Sequence, residues 1–181
     1  MARVTEIRDK SQLAAEAHPV FDGIVASRGG IVGPFPVLLH SPEAAAGVSA
    51  LGHYLRFGTG LSDVERELAI LTAARENNAA VEWAGHVRLG KQAGVREEAI
   101  DLIGRNGPLS ELLPDEALIV DYGRQILRTK RVSKETFDAA RKRFGDKVLV
   151  DLTALLGYYA MIAATLNAFE VMPPEGAARL P

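Results

Sequence analysis

The segment Glu82-Trp83-Ala84-Gly85-His86 contains the pair of side chains best suited to chemistry. Residues four apart in an α-helix share one face, with Cβ atoms about 5–6 Å apart, so Glu82 and His86 can hydrogen-bond directly. A carboxylate beside an imidazole makes an acid/base pair that works near neutral pH. Glu67 would join them if a turn at Asn77-Asn78 makes its helix antiparallel to theirs. The spacing therefore predicts a site of three titratable groups.

Two other interpretations of these residues stay open. A Glu and a His at this spacing often form only a surface pair, worth about 0.2–0.5 kcal/mol. His86, Glu82 and Glu67 also offer nitrogen and oxygen ligands to a metal ion, but no second histidine stands at a ligand spacing. The residues alone therefore leave acid/base chemistry, a surface pair and a metal site open.

A second set of polar residues is suited to binding a substrate. His53, Tyr54 and Arg56 gather at the end of a predicted helix and would form a cationic rim for a carboxylate, although such clusters also solvate the last carbonyls of a helix. The most apolar predicted helix contains Tyr158-Tyr159 and Asn167, whose polar atoms need partners in a pocket, an interface or the core. The predicted substrate-binding residues are His53, Tyr54, Arg56, Tyr158 and Asn167.

Composition excludes several classes of function. The chain has no cysteine, which excludes disulfides, thiolate metal sites, a cysteine nucleophile and a dithiol redox cycle. Lys and Arg number 21 against 23 Asp and Glu, so no overall field attracts nucleic acid or anionic lipid, and a small-molecule substrate is the expected partner. The turn Arg28-Gly29-Gly30 lacks the spacing and the strand context of a phosphate loop.

The location of the protein is predicted from two segments. The N-terminal run MARVTEIRDKSQ carries charges where a secretory signal needs an apolar stretch, so a cytoplasmic protein is expected. The most apolar run, residues 152–166, is shorter than the roughly 20 residues of a membrane helix and is predicted to be a buried core helix.

Helical periodicity and its boundary signals predict an all-α protein. A capping box at Ser62-Asp63-Val64-Glu65 opens one helix and Gly94 closes the next, which predicts a central antiparallel hairpin. Ser11 is expected to begin the first helix, over residues 11–27. The motif Gly33-Pro34-Phe35-Pro36 is expected to leave a loop or extended connector. Further helices are predicted at residues 96–103, 114–130, 133–144 and 146–169, the last two separated by Gly145.

Three segments resemble the carboxymuconolactone decarboxylase family, which includes the AhpD-like peroxidases. They are LAILTAAR at residues 68–75, EWAGHV at 82–87 and AGVREEAI at 93–100. The segments Gly33-Pro34-Phe35 with His40-Ser41-Pro42, and the run at 166–170, are similar to a cysteine-free subgroup. The resemblance thus extends over nearly the whole chain.

The same resemblance indicates which chemistry has been lost. In the peroxidase branch a Glu precedes, and a His follows, a Cys-x-x-Cys pair. That register keeps Glu67 and His86 here but places Ala79 and Glu82 at the two cysteine positions. Thiol-based peroxide reduction therefore needs sulfur atoms that this chain lacks.

The resemblance implies a fold, an assembly and a reaction. The fold is all-α and AhpD-like, as one domain over residues 1–181 with a helical extension at about 1–40, and copies assemble as homotrimers or homohexamers. The reaction is a cofactor-independent decarboxylation of a lactone acid or related small acid in aromatic-compound catabolism, with His86 as general acid or base, Glu82 orienting it and Glu67 tuning the pair. A lactone or ester hydrolase in which His86 activates water, and a non-catalytic member of the fold, stay open.

Overall fold

The computed structural model describes residues 2–181, and within that range the regular structure is helical. The eight α-helices are α1 (His18–Arg28), α2 (Phe35–Leu38), α3 (Pro42–Phe57), α4 (Asp63–Glu76), α5 (Ala80–Ala93), α6 (Glu97–Gly104), α7 (Pro114–Thr129) and α8 (Lys134–Ala168). The all-α prediction is confirmed.

Helices α4 and α5 form the hairpin that the boundary signals predicted. The Ser62 hydroxyl accepts from the Glu65 amide at 3.3 Å, and the Glu65 carboxylate accepts from the Ser62 amide at 2.8 Å, which completes the capping box. Gly94 ends α5 in the left-handed conformation, at φ 94°. Helix α4 packs against α5, α6, α7 and α8, and its residues 67–74 are all buried. It is the central helix of the bundle.

Two apolar clusters hold the chain together. The larger one contains residues from each of the helices α4, α5, α6, α7 and α8. It includes Leu71, Ile119 and Leu155, each fully buried. The smaller one fastens the N-terminal segment to α3 through residues such as Ile24 and Phe35. Each buried Leu, Ile or Phe side chain in this cluster contributes about 1.5–3 kcal/mol toward holding α1 and α2 against α3.

Helix α8 bends at Gly145, which has φ 71° and ψ 168°, where the sequence predicted the end of one helix and the start of another. By length and composition α8 could cross a membrane, since one 18-residue window has a mean hydropathy of 1.6. Leu152, Leu155 and Ile162 are nevertheless at most 2% exposed inside the bundle. The apolar part of α8 is therefore a buried core helix, as predicted.

The predicted start of the first helix is wrong. Helix α1 begins at His18, and Ser11 instead lies in a short 3-10 turn whose cap is Asp9, the Asp9 carboxylate accepting from the Ser11 amide at 2.8 Å. Pro19 sits in the first turn of α1 because the amide that proline lacks has no helical acceptor there.

The loop predicted around Gly33-Pro34-Phe35-Pro36 contains one turn of helix, α2. Pro36 stands in the first turn of α2, where no intrahelical hydrogen bond is lost. The prolines therefore position this short helix instead of excluding it.

Candidate active site

Helices α4 and α5 bring Glu67, Glu82 and His86 together. His86 Nδ1 lies 2.7 Å from Glu67 Oε2, and His86 Nε2 lies 3.3 Å from Glu82 Oε2. The exposed fractions are 3% for Glu67, 7% for Glu82 and 6% for His86, so the group is not a solvent-exposed surface pair. The i, i+4 spacing places Glu82 beside His86, and the hairpin brings Glu67 to the other side of the ring.

The two carboxylates control the protonation of His86. Burial alone lowers the pKa of His86, but the hydrogen bonds and negative charges of Glu67 and Glu82 outweigh it and raise that pKa from 6.5 to about 9. The ring is therefore an imidazolium at neutral pH, and each of its N–H groups has a carboxylate to donate to. In this state His86 is a proton donor.

Arg66 extends the buried charges toward the surface. Arg66 Nε lies 3.7 Å from Glu67 Oε1, and Arg66 Nη1 lies 2.9 Å from Asp63 Oδ1. Charges thus alternate from Asp63 through Arg66 and Glu67 to His86. Arg66 and His86 therefore place two cations beside the buried carboxylates Glu67 and Glu82, which offsets part of the cost of burying them. The sequence analysis did not identify Arg66.

Two tyrosines of α8 enclose the His86 ring and its surroundings. The Tyr159 ring meets the His86 ring edge-on, with centroids 5.1 Å apart and planes at 88°. Burial, aided by the charge of Glu82, raises the pKa of Tyr159 well above its ordinary value, so its phenol stays neutral. Tyr158, 5.3 Å from Tyr159 between ring centroids, donates from its hydroxyl to the Val48 carbonyl at 3.1 Å. Both tyrosines therefore present neutral side chains to the site.

Arg28 and Arg56 supply positive charge next to Tyr158. Burial raises the pKa of the Tyr158 phenol, and the charges of Arg28 and Arg56 oppose that rise. Arg28 lies over the Phe35 ring at 4.5 Å and donates to the Ser49 carbonyl at 3.5 Å. Within residues 2–181 neither guanidinium forms an ion pair with a carboxylate. Sequence reasoning predicted Arg56 but missed Arg28, because no periodicity shows that α1 folds back onto α3 and α8.

The contacts of the other three predicted substrate-binding residues lie elsewhere. His53 is exposed on α3. The Tyr54 hydroxyl donates to Oδ1 of the buried Asp151, on α8, at 2.9 Å. Asn167 Nδ2 donates to the Asn77 carbonyl at 2.9 Å, where it holds the turn of the α4–α5 hairpin. None of these contacts involves His86.

The connection between α1 and α2 passes over Glu82. Gly33 has φ 60°, and a Cβ placed on it would lie 3.9 Å from Glu82 Oε1. Ala79, at the other position that matches a family cysteine, is fully buried. The N-terminal segment is therefore one wall of the site and covers Glu82.

Two surface cavities lie away from these groups. One of about 570 Å³ is lined by charged residues at the start of α6 and within it, such as Arg96 and Asp101. The other, of about 310 Å³, is lined by Asn167 and Val171 near the end of α8. In the part of the chain that the structure describes, no group of three or more His, Cys, Asp or Glu side chains is arranged to hold a metal ion.

The sequence and the fold both match known proteins. The sequence model of the carboxymuconolactone decarboxylase family matches residues 42–107, from the start of α3 to the turn after α6. No curated protein matches the chain. The family resemblance predicted from the sequence is confirmed for this region, and the absence of cysteine agrees with the predicted subgroup.

Solved structures share the fold over most of the chain. An uncharacterized peroxidase-related protein from Ralstonia eutropha with an alkylhydroperoxidase AhpD core is 17% identical, covers 96% of this chain and 93% of its own, and has a TM-score of 0.78. A protein of unknown function from Agrobacterium tumefaciens is 23% identical over 76% of this chain and 94% of its own, with a TM-score of 0.67. A debrominase in complex with 2,3,4-tribromopyrrole is 12% identical over 97% of this chain and 94% of its own, with a TM-score of 0.74. The predicted AhpD-like fold is confirmed.

Proposed function

We propose that this chain, which carries the carboxymuconolactone decarboxylase family sequence at residues 42–107 on an AhpD-like fold, is a cofactor-independent acid/base lyase that decarboxylates a small lactone acid. The observation that carries the proposal is a buried His86 whose two ring nitrogens both face carboxylates. A general acid that is protonated at neutral pH is what a carbanion or enolate needs to recover a proton.

The proposed reaction uses His86 as the proton donor. The bond between the ring carbon and the substrate carboxylate breaks, carbon dioxide leaves, and the electron pair remains on carbon, delocalised into the neighbouring carbonyl. His86 donates a proton to that carbon and is reprotonated from solvent. Glu67 holds the ring through Nδ1, and Glu82 holds Nε2 until the substrate displaces it.

The same geometry favours a lyase over a hydrolase. A hydrolase in which His86 activates water needs a neutral ring with a free nitrogen lone pair, but the raised pKa of His86 keeps that lone pair protonated at neutral pH. A non-catalytic member would be expected to keep His86 near its ordinary pKa. The raised pKa of His86, which follows from its burial between two carboxylates, therefore also supports an enzyme over a binding protein.

Arg28 and Arg56 support a carboxylate-bearing substrate. Both lie beside Tyr158 without a carboxylate partner of their own, and guanidinium groups bind carboxylates in a planar, bidentate manner. A structural neighbour was solved with a small halogenated heteroaromatic ring, so the fold accommodates a ring compound of that size. We infer that the substrate is a ring acid whose carboxylate points toward Arg28 and Arg56.

The experiment follows carbon dioxide release and ring opening separately with carboxymuconolactone and related lactone acids, with and without a chelator. Wild type should release carbon dioxide in both conditions, and His86→Gln should be at least about 100-fold slower because the proton donor is lost. His18→Gln is the matched control and should keep full activity, because the one side-chain hydrogen bond of His18 within residues 2–181 is to the Leu13 carbonyl, at 3.3 Å, and not to the site.

Three results would change the proposal. Ring opening without carbon dioxide would identify a hydrolase. Carbon dioxide release by the wild type that stops when the chelator is added would identify a metal-dependent reaction. No turnover of any lactone acid would contradict the proposed substrate class.

We also propose that copies of the chain associate as homotrimers or homohexamers through α8. Val150 is 66% exposed and Met161 37% exposed, and Ala154 and Gly157 lie exposed between them on the same helical face. Such an apolar stripe on a soluble protein is typical of an interface. Sedimentation velocity of the wild type should show three or six chains, and a monomer would contradict the assembly.

A further inference from the structure

A second charge cluster lies where the C-terminal end of α4, the turn after α6 and α7 meet, with Arg124 buried and Arg128 exposed. Its members are Arg75, Glu76, Arg124 and Arg128, none of which contacts the His86 site. The Arg128 guanidinium binds both Glu76 carboxylate oxygens, at 2.6 and 2.5 Å, and also donates to Asn106 Oδ1 at 2.8 Å. The single carboxylate of the cluster is therefore already engaged by Arg128.

Arg124 is buried without full compensation of its charge. Its side chain is 9% exposed, Nη1 donates to the Gly107 carbonyl at 2.8 Å, and Nε is 3.9 Å from Glu76 Oε1. Its Nη2 is buried and has no hydrogen-bond partner among the residues that the structure describes. A buried cation with an unused donor is costly unless an anion completes its surroundings.

Arg75 adds a third guanidinium. Its Nη1 donates to Asn78 Oδ1 at 2.9 Å, while its Nε is buried and, within residues 2–181, has no partner. Burial lowers the pKa of Arg124, and the positive charges of Arg128 and Arg75 lower it further, against the opposing charges of Glu76 and Asp121. Three cations thus lie near two carboxylates, Glu76 and Asp121, which leaves an excess of positive charge.

We infer that this arginine cluster is a binding site for a tetrahedral oxyanion of the size of inorganic phosphate, separate from the His86 site. Guanidinium groups bind phosphate oxygens in pairs, and donors that come from two helices suit an anion with more than two acceptor oxygens. The ligand would satisfy the unused donors of Arg124 and Arg75 and would neutralise the excess charge. The bound oxyanion would be free phosphate or the phosphate group of a small metabolite.

The test measures thermal unfolding of the full chain during titration with inorganic phosphate, sodium chloride keeping the ionic strength constant. A ligand at ten times its Kd should raise the Tm of a protein of this size by about 3–6 °C, and the rise should saturate. The variants are Arg124→Gln and Arg75→Gln. The control is Arg141→Gln, since Arg141 is an exposed arginine paired with Asp146. Line broadening of the phosphate ³¹P signal by the protein gives a second readout.

A saturable shift and line broadening that are lost in Arg124→Gln and Arg75→Gln but kept in Arg141→Gln would support the site. If Arg124→Gln does not fold, Arg75→Gln decides alone. No shift in the wild type, or the same shift in every variant, would overturn the inference. An equal shift with acetate at the same concentration would show a site for planar carboxylates and would also overturn it.

Discussion

The stability of the protein should fall as the pH rises from about 6.5 to about 9, because His86 is protonated in the folded state and loses its proton when it unfolds. Below pH 6.5 both states carry the proton, and the contacts of the imidazolium with Glu67 and Glu82 contribute in full. Between the two pKa values only the folded state keeps the proton, so each step up in pH favours unfolding. Above about 9 the contribution is gone.

The size of this effect follows from the pKa rise. A pKa raised from 6.5 to about 9 corresponds to roughly 3 kcal/mol of stability, at about 1.4 kcal/mol for each pKa unit. His86 is only 6% exposed and both carboxylates are buried, so solvent screens the interaction little. For a single side chain this is a large contribution, because the total stability of a domain is only about 5–15 kcal/mol.

Urea unfolding of the wild type and of His86→Gln, at about pH 6 and about pH 10, measures the contribution of the His86 charge to stability. The difference between the two proteins removes the titration of groups that do not contact His86 and should be larger at the lower pH by roughly 3 kcal/mol. Titration of the His86 ring by NMR gives the pKa directly. A difference that does not change with pH, or a ring that titrates near 6.5, would refute the electrostatic account of the site.

Two further substitutions test the packing and the charges around the site. Glu67→Gln keeps the shape of the side chain but removes the negative charge 2.7 Å from His86 Nδ1, so an NMR titration should give a lower His86 pKa than in the wild type. Gly52→Ala places a Cβ 2.2 Å from the Tyr158 hydroxyl and should cost about 1–3 kcal/mol in urea unfolding, whereas Gly47→Ala in the same helix meets open space and should not destabilise the protein.

The sequence was sufficient for the central hairpin because the signals there are local. A capping box and a left-handed glycine act on residues within one turn of themselves, so Ser62 and Gly94 set their helix ends without help from the rest of the chain. The N-terminal segment was harder to predict. Whether Ser11 or His18 begins a helix there depends on packing against α3 through the smaller apolar cluster, which has no local signal.

Some features of the candidate site likewise follow from local sequence, and others depend on tertiary packing. By itself the sequence determined that Glu82 and His86 share a helical face and that no dithiol chemistry is available, since both follow from residue type and helical period. Only the tertiary structure decided that Tyr159 closes over His86 and that Arg28 reaches Tyr158, because these residues come from helices far apart in the chain. The protonation state of His86 was also decided only by the tertiary structure. It depends on burial and on carboxylate distances, and packing sets both.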